Sequence, residues 1–321
     1  MNEVLKQMQG IGIIPVIKID DANKAVPLAK ALVKGGLPVA EVTFRTAAAK
    51  EAITRIAKEV PEMLVGAGTV LTTAQVDEAL EAGSKFIVSP GFNPTVTKYA
   101  LSKGACMTPG TATPGEMEQA MELGLEAVKF FPAEQNGGVA KLKAVSGPYT
   151  KLMFMPTGGV NAKNLNDYLS FDKIIACGGT WMVPAAMIDA EDWDGIVALT
   201  KEAVRAMLGF ELAHVGINAE NEAEAEKAAK MFTALFGFEY KPGNSSIFAG
   251  KAVEVMKAPY LGKNGHIGIA TNSVLRAEYH LKMQGFEFNE ESRKTDAKGN
   301  TIAVYLKDEV AGFAVHLVQK K

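Results

Sequence analysis

The sequence predicts two units in series: an α/β (β/α)8 TIM barrel over residues 1–208, then an α+β domain of two βαβββ modules over residues 211–321. Three observations predict this. Short β-branched-rich runs alternate eight times with amphipathic helical stretches through the first two hundred residues, the number and compact length of such a barrel. Ala213-His214-Val215-Gly216-Ile217 returns fifty-two residues later as Gly265-His266-Ile267-Gly268-Ile269, which marks an internal repeat. At 321 residues the chain also exceeds one typical domain.

The predicted barrel strands cover residues 13–19, 39–45, 63–70, 86–90, 105–109, 127–131, 152–156 and 174–177. The helices between them cover 22–34, 48–60, 73–82, 95–102, 113–123, 139–144, 162–169 and 190–208. A doubly wound open sheet is the competing architecture, but it needs a phosphate-binding glycine loop after the first strand. Ile17-Lys18-Ile19-Asp20-Asp21 offers none.

Composition narrows the function. Hydrophobic residues make up 48% and charged residues 22% of the chain, the profile of a globular protein with a sizeable core. A net charge of −2 without a basic stripe leaves no electrostatic footprint for nucleic acid. Cys106 and Cys177 each fall in a strand-like segment, as expected of reduced thiols in a cytoplasmic protein. No signal-peptide pattern opens the sequence, and no apolar run approaches the ~18 residues needed to span a membrane.

The stretch that organises the first unit is Ala127-Val128-Lys129-Phe130-Phe131-Pro132. It reads as a short strand stopped by proline, with Ala127, Lys129 and Phe131 on one face. A lysine there has two readings. It snorkels to solvent at the strand end, or it is buried, where the ammonium form is disfavoured and a neutral amine can attack a carbonyl. The second strand favours the latter, because Glu41, Thr43 and Arg45 share its inward face. Glu41 and Arg45 read either as a structural ion pair or as a general acid/base beside a clamp for a substrate carboxylate.

Further strand ends carry polar and glycine residues, and a barrel places its active site at those ends. Gly66-Ala67-Gly68-Thr69 sets a hydroxyl at the mouth, while Ser89-Pro90-Gly91 and Thr108-Pro109-Gly110 also read as ordinary turns. Pro156-Thr157-Gly158-Gly159 and Cys177-Gly178-Gly179-Thr180 end strands seven and eight. Glycine pairs in those two loops can cradle a phosphate with backbone N–H groups. The chemistry implied is imine formation with a keto acid, followed by carbon–carbon cleavage or formation with a carboxylate shuttling protons.

With these motifs in order over the whole barrel, residues 1 to about 208 resemble the class I aldolases for 2-keto-3-deoxy-6-phosphogluconate and 4-hydroxy-2-oxoglutarate. The motifs are Glu-Val-Thr-Phe-Arg-Thr at 41–46, Gly-Ala-Gly-Thr-Val at 66–70, Val-Ser-Pro-Gly at 88–91 and Thr-Pro-Gly at 108–110. Val-Lys-Phe-Phe-Pro-Ala at 128–133, Pro-Thr-Gly-Gly-Val at 156–160 and Gly-Gly-Thr-Trp at 178–181 complete them. The resemblance implies that Lys129 forms the Schiff base and Glu41 is the acid/base. It implies that Arg45 and Thr69 hold the pyruvyl carboxylate, that Pro90 and Phe131 shape the pocket, and that Gly158, Gly159, Gly178, Gly179 and Thr180 take a distal phosphate. It further implies a homotrimer acting on keto acid and aldehyde substrates without a cofactor. Lys18 also ends a predicted strand, as a second carboxylate contact or a rival imine lysine. A phosphate-barrel isomerase or synthase would share the glycine pairs but has no need of Lys129 with Glu41. A non-enzymatic metal or small-molecule binding protein is the remaining alternative.

All four histidines lie beyond residue 208. His280 is expected at a helix surface. His214 and His266 fall in the first strands of the two modules, and Glu254 and His316 in the last. Imidazole and carboxylate together suit zinc, iron, nickel or manganese. The repeat resembles the vicinal oxygen chelate superfamily, which includes glyoxalase I. That resemblance maps the metal ligands to His214, Glu254, His266 and His316. The last position is more commonly glutamate, so His316 departs from the pattern, and the fold also serves metal-free binding.

Overall fold

Parallel strands need a crossover long enough to return the chain to the same end, and nearly every strand of the first unit is followed by a helix. The computed structural model describes residues 1–320, which divide into two units after Met207. In the first, α1 (Glu3–Ile11) leads into β1 (Ile13–Ile17), α2 (Ala25–Gly35), β2 (Val39–Thr43), α3 (Ala49–Glu59) and β3 (Leu64–Gly68). Then come α4 (Thr73–Glu81), β4 (Phe86–Val88), α5 (Pro94–Ser102), β5 (Cys106–Thr108), β6 (Gly110–Thr111) and α6 (Pro114–Glu122). The unit closes with β7 (Ala127–Phe130), α7 (Gly138–Val145), β8 (Met153–Pro156), α8 (Leu165–Leu169), β9 (Cys177–Gly179), α9 (Ala185–Asp189) and α10 (Trp193–Leu208).

All these strands pair in parallel, in the orders β5-β4-β3-β2-β1-β9 and β6-β7-β8. The bridges Phe154↔Ile174 and Thr157↔Gly178 carry β8 onto the β9 segment. β5 and β6 occupy one strand position interrupted at Pro109, which has no N–H to give a ladder. The result is a ring of eight strand positions, the predicted barrel. Buried Ile13, Val39, Val65, Phe86, Ile87, Phe130 and Phe154 form its core. Side-chain caps at Thr72 and Asn93, and a capping box from Thr113 to Glu116, start helices on its outside.

The structure differs from the sequence expectation at four places. Helix α1 was not predicted; Asn2 caps it, Leu5, Met8 and Ile11 bury one face, and left-handed Gly12 ends it. The eighth strand lies later than 174–177, because its ladder to β1 pairs Ile13 with Cys177 and Pro15 with Gly179. Gly178 and Gly179 are thus strand residues, not loop residues. The predicted last helix starts three residues later, as α10 at Trp193, after Glu191 adopts φ 55°, and a short unpredicted helix, α9, precedes it. Finally, Lys18 lies past the end of β1.

The second unit comprises β10 (Glu211–Asn218), α11 (Glu222–Phe236), β11 (Tyr240–Pro242), β12 (Ser246–Ala249) and β13 (Val253–Met256). These are followed by β14 (His266–Thr271), α12 (Val274–Met283), β15 (Phe288–Thr295), β16 (Thr301–Leu306) and β17 (Ala314–Gln319). The two βαβββ modules make one sheet ordered β11-β12-β13-β10-β14-β17-β16-β15, which reads the same in module terms from either edge. β10 and β14 pair antiparallel at the centre, and each runs parallel to its own module's last strand. Ala225, Ala229, Ile247 and Val255 form the core under α11. His280 is buried rather than exposed, because it lies on the face of α12 that also buries Val274 and Ala277. Cys106 and Cys177 are both buried and form no disulfide among the described residues. No helix among the described residues is long and apolar enough to cross a membrane.

Candidate functional site

At the carboxyl ends of the barrel strands lies a cavity of about 360 Å³. Strand alternation on β7 turns Lys129 into it, where the side chain is only 6% exposed. From β2, across the ring, comes Glu41, 1% exposed, with Oε1 3.2 Å from the lysine Nζ. Glu41 owes its place to Gly68 on β3, since a Cβ there would run into its carboxylate. Its second oxygen, Oε2, is buried and has no hydrogen-bond partner among the described residues. Snorkelling is thereby excluded for Lys129.

Arg45 follows the end of β2, and its Nε donates to Thr43 Oγ1 at 3.1 Å. That hydroxyl in turn donates to the Ile17 carbonyl at 2.9 Å. The expected alternative of a Glu41–Arg45 ion pair does not form: Glu41 meets Lys129, and among the described residues no carboxylate pairs with Arg45. Thr69 lines the cavity in the left-handed region, φ 56°, a conformation that costs a non-glycine residue about 1–3 kcal/mol. Pro90 and Phe131 supply apolar wall, the Phe131 ring centroid lying 5.3 Å from the lysine Nζ.

The turn after β8 has the character of an anion cradle. Gly158 and Gly159 both take positive φ, 95° and 80°. Every carbonyl from 157 to 159 is occupied: Thr157 O by Ala133 N, Gly158 O by Glu134 N, and Gly159 O by the side-chain amides of Asn161 and Asn164. The N–H groups of Gly159 and Val160 donate to no acceptor among the described residues, while Gly158 follows the bridge that pairs Thr157 with Gly178. Successive free N–H groups in such a turn form a nest for an anion. Gly179 and Thr180 also line the cavity, but Gly178 does not; its bare Cα makes room for the Thr157 side chain.

Two further differences concern the predicted set. Lys18 is 50% exposed, holds Asp20 at 2.7 Å and is not among the residues lining the cavity. Thr157, given no role by the sequence, lines the cavity with its hydroxyl buried and unpartnered. Only its place before Gly158-Gly159 in the strand-end motif signalled it. Val16, Thr43 and Val160 complete the lining.

In the second unit the repeat interlocks. His214 on β10 lies opposite Gly268 on β14, and His266 on β14 lies opposite Gly216 on β10. A Cβ on either glycine would enter the facing imidazole, so each module's His-x-Gly makes room for the other's histidine. Glu254 is level with Gly216 on β13, and His316 with Gly268 on β17. His316 Nε2 is 3.1 Å from His214 Nε2, while Glu254 Oε2 is 3.2 Å from His266 Nε2 and 3.3 Å from His214 Nε2. The three imidazoles of the predicted donor set bring a ligand atom each within 4.8 Å of one another, and Glu254 Oε2 joins them at His214 and His266. Tetrahedral ligands at about 2.0–2.1 Å from a zinc ion stand about 3.3 Å apart, close to the three contacts of 3.1, 3.2 and 3.3 Å found here.

The electrostatics favour the protonation states that a metal needs. Burial, with His214 and His266 nearby, pushes the His316 imidazole down to about 3. Burial also lowers His214, with the Glu254 charge opposing it. For Glu254, burial acts to raise the carboxyl, but hydrogen bonds from His266 and Ser246 and the two imidazoles outweigh it and hold it below the ordinary range. Neutral imidazole and ionised carboxylate are the ligand forms.

Known proteins match the barrel. The family model for KDPG and KHG aldolase matches residues 3–199. A 2-dehydro-3-deoxy-phosphogluconate aldolase of Treponema pallidum is 45% identical over 205 residues, 64% of this chain and 98% of the relative. The crystal structure of the 2-keto-3-deoxy-6-phosphogluconate aldolase of Zymomonas mobilis with 3-phosphoglycerate superposes with a TM-score of 0.60 at 43% identity, covering 63% of this chain and 95% of that one. A KDPG aldolase of Legionella pneumophila, with pyruvate captured as a covalent carbinolamine, gives a TM-score of 0.60 at 36% identity over 62% of this chain and 97% of that one. With the buried lysine–glutamate pair at the mouth of a matching barrel, this chain belongs to the KDPG and KHG aldolase family.

Proposed function

We propose that the barrel unit reversibly cleaves 2-keto-3-deoxy-6-phosphogluconate to pyruvate and glyceraldehyde 3-phosphate, and 4-hydroxy-2-oxoglutarate to pyruvate and glyoxylate, through a Schiff base on Lys129. The observation that carries this is the buried Lys129–Glu41 pair, 3.2 Å apart, within the cavity. The lysine amine adds to the keto carbon to give a carbinolamine, which loses water to leave an iminium. Glu41, in hydrogen-bond reach, moves the protons of these steps. It then takes the proton of the C4 hydroxyl, the C3–C4 bonding pair flows into the iminium, and the aldehyde departs from an enamine. Protonation at C3 and hydrolysis release pyruvate and the free amine. The scheme uses no cofactor.

In this reading Arg45 and Thr69 hold the pyruvyl carboxylate between Pro90 and Phe131. The unoccupied N–H groups of Gly159 and Val160, with Gly158, Gly179 and Thr180, receive the phosphate or distal carboxylate. The carbinolamine of the Legionella relative supports the covalent step, and the 3-phosphoglycerate of the Zymomonas relative the phosphorylated ligand. Incubation with pyruvate and borohydride, followed by peptide mass mapping, tests it. A pyruvyl adduct on Lys129 is expected. An adduct on Lys18 would move the site, and no adduct would leave the isomerase, synthase and binding-protein alternatives. A cytoplasmic homotrimer belongs to the same reading, and light scattering on the purified chain tests the trimer.

The second unit we read as a vicinal oxygen chelate (glyoxalase-like) domain holding a divalent ion on His214, His266, His316 and Glu254. The cluster of the three imidazoles, with Glu254 Oε2 against two of them, favours it. Such an ion, zinc, nickel, iron or manganese, would supply Lewis acidity toward an oxygen ligand.

A further inference from the structure

The two modules of the second unit treat their last-strand ligand differently, and the difference lies one strand away. Glu254 on β13 faces Phe248 across the ladder to β12, and His316 on β17 faces Tyr305 across the ladder to β16. Two residues before each aromatic stands Ser246 in the first module and Ala303 in the second, at matching places in the register. The carboxylate therefore has a hydroxyl at hand, and the imidazole a methyl.

That hydroxyl is used. Ser246, 7% exposed, donates from Oγ to Glu254 Oε1 at 2.6 Å. Oε2, the other oxygen, is the one turned to His214 and His266. Among the described residues this is the only hydrogen bond that reaches the four donors from outside them. The Nδ1 atoms of His266 and His316 are buried and have no hydrogen-bond partner among the described residues. Outer hydrogen bonds usually orient metal-binding imidazoles; here the support falls on the carboxylate instead.

We propose that Ser246 is a positioning residue for the metal centre: by holding Glu254 Oε1, it makes Glu254 a one-oxygen ligand through Oε2. An imidazole already offers a single inward nitrogen, which is why the matched place on β16 can be alanine. The inference rests on the metal reading of this domain.

Cobalt(II) titration of the full chain, followed by visible absorption, tests it. The native chain binds one ion, with ligand-field bands. Ser246→Ala weakens binding about 10–100-fold, the range for loss of an outer-shell partner, and changes the band intensities as the carboxylate turns two-oxygen. Ala303→Ser leaves both unchanged. In a Glu254→Ala background, Ser246→Ala has no further effect, which separates action through the carboxylate from a general packing role. Equal affinity and spectra for the native chain and Ser246→Ala would overturn the role of Ser246 alone. A further loss in the Glu254→Ala background would overturn it as well. Failure of the native chain to bind cobalt would overturn the metal reading, and this inference with it.

Discussion

A methyl group on residue 68 would occupy the space of the Glu41 carboxylate, so the position of the proposed acid/base depends on a residue given no chemistry. Gly68→Ala is expected to lower kcat at least 10²-fold, the scale of general acid/base catalysis, while borohydride trapping of pyruvate on Lys129 persists at a reduced rate. Steady-state kinetics beside trapping check this. In the second unit, Glu278 accepts both Arg293 guanidinium nitrogens, at 2.8 and 2.9 Å, and Lys282 at 2.7 Å. Burial raises its carboxyl, but these charged donors outweigh that and leave its pKa lowered. A folded value below the unfolded one means the unfolded chain binds more protons on acidification, so the stabilisation is present above about pH 4.3 and is lost as pH falls through the folded value. Glu278→Gln should cost about 1–3 kcal/mol at pH 7 and flatten the acid limb of the stability profile. Urea unfolding from pH 7 to 3 reads both. Lys129, Glu41 and the four donors of the second unit were legible as residues, because their types are out of place on apolar strands. Thr157 was not, since a threonine on a strand needs no special explanation.

In the proposed function, the element that separates the two substrates is the turn after β8. Its carbonyls are tied to Ala133, Glu134, Asn161 and Asn164, and the N–H groups of Gly159 and Val160 have no acceptor among the described residues. Gly158 at φ 95° cannot become alanine without strain. Gly158→Ala should raise KM for the phosphorylated substrate about tenfold or more, and affect cleavage of 4-hydroxy-2-oxoglutarate much less. Parallel kinetics with the two substrates check this, and equal losses on both would show that the turn serves the fold alone. The sequence placed glycine pairs at two strand ends but could not separate them. The pair after β8 is a turn; the second pair lies within β9, because register against β1 pulls it into the ladder. Register is a property of two strands and is not written in either one.

At the scale of the whole molecule, the chain joins a barrel that spans 95–98% of the length of the Treponema, Zymomonas and Legionella relatives to a second unit those matches leave uncovered. The barrel strands close on one another and form its cavity entirely from residues before 181. Residues 1–207 expressed alone should therefore fold and retain cleavage within about threefold in kcat/KM; a soluble but inactive fragment would mean that the second unit is needed for catalysis. By itself the sequence determined the eight-fold alternation, the repeat and the residues out of keeping with their surroundings. Each of these is a local pattern, set by helix and strand periodicity and by the cost of burying charge. Tertiary structure alone decided that Glu41 meets Lys129 rather than Arg45, that Lys18 stays in solvent beside Asp20, and that His280 is buried. It also decided that two glycines each yield space to a histidine of the other module. Those outcomes depend on which residues stand opposite across a ladder or a ring, up to a hundred positions apart, and one chain read in order carries no such pairing.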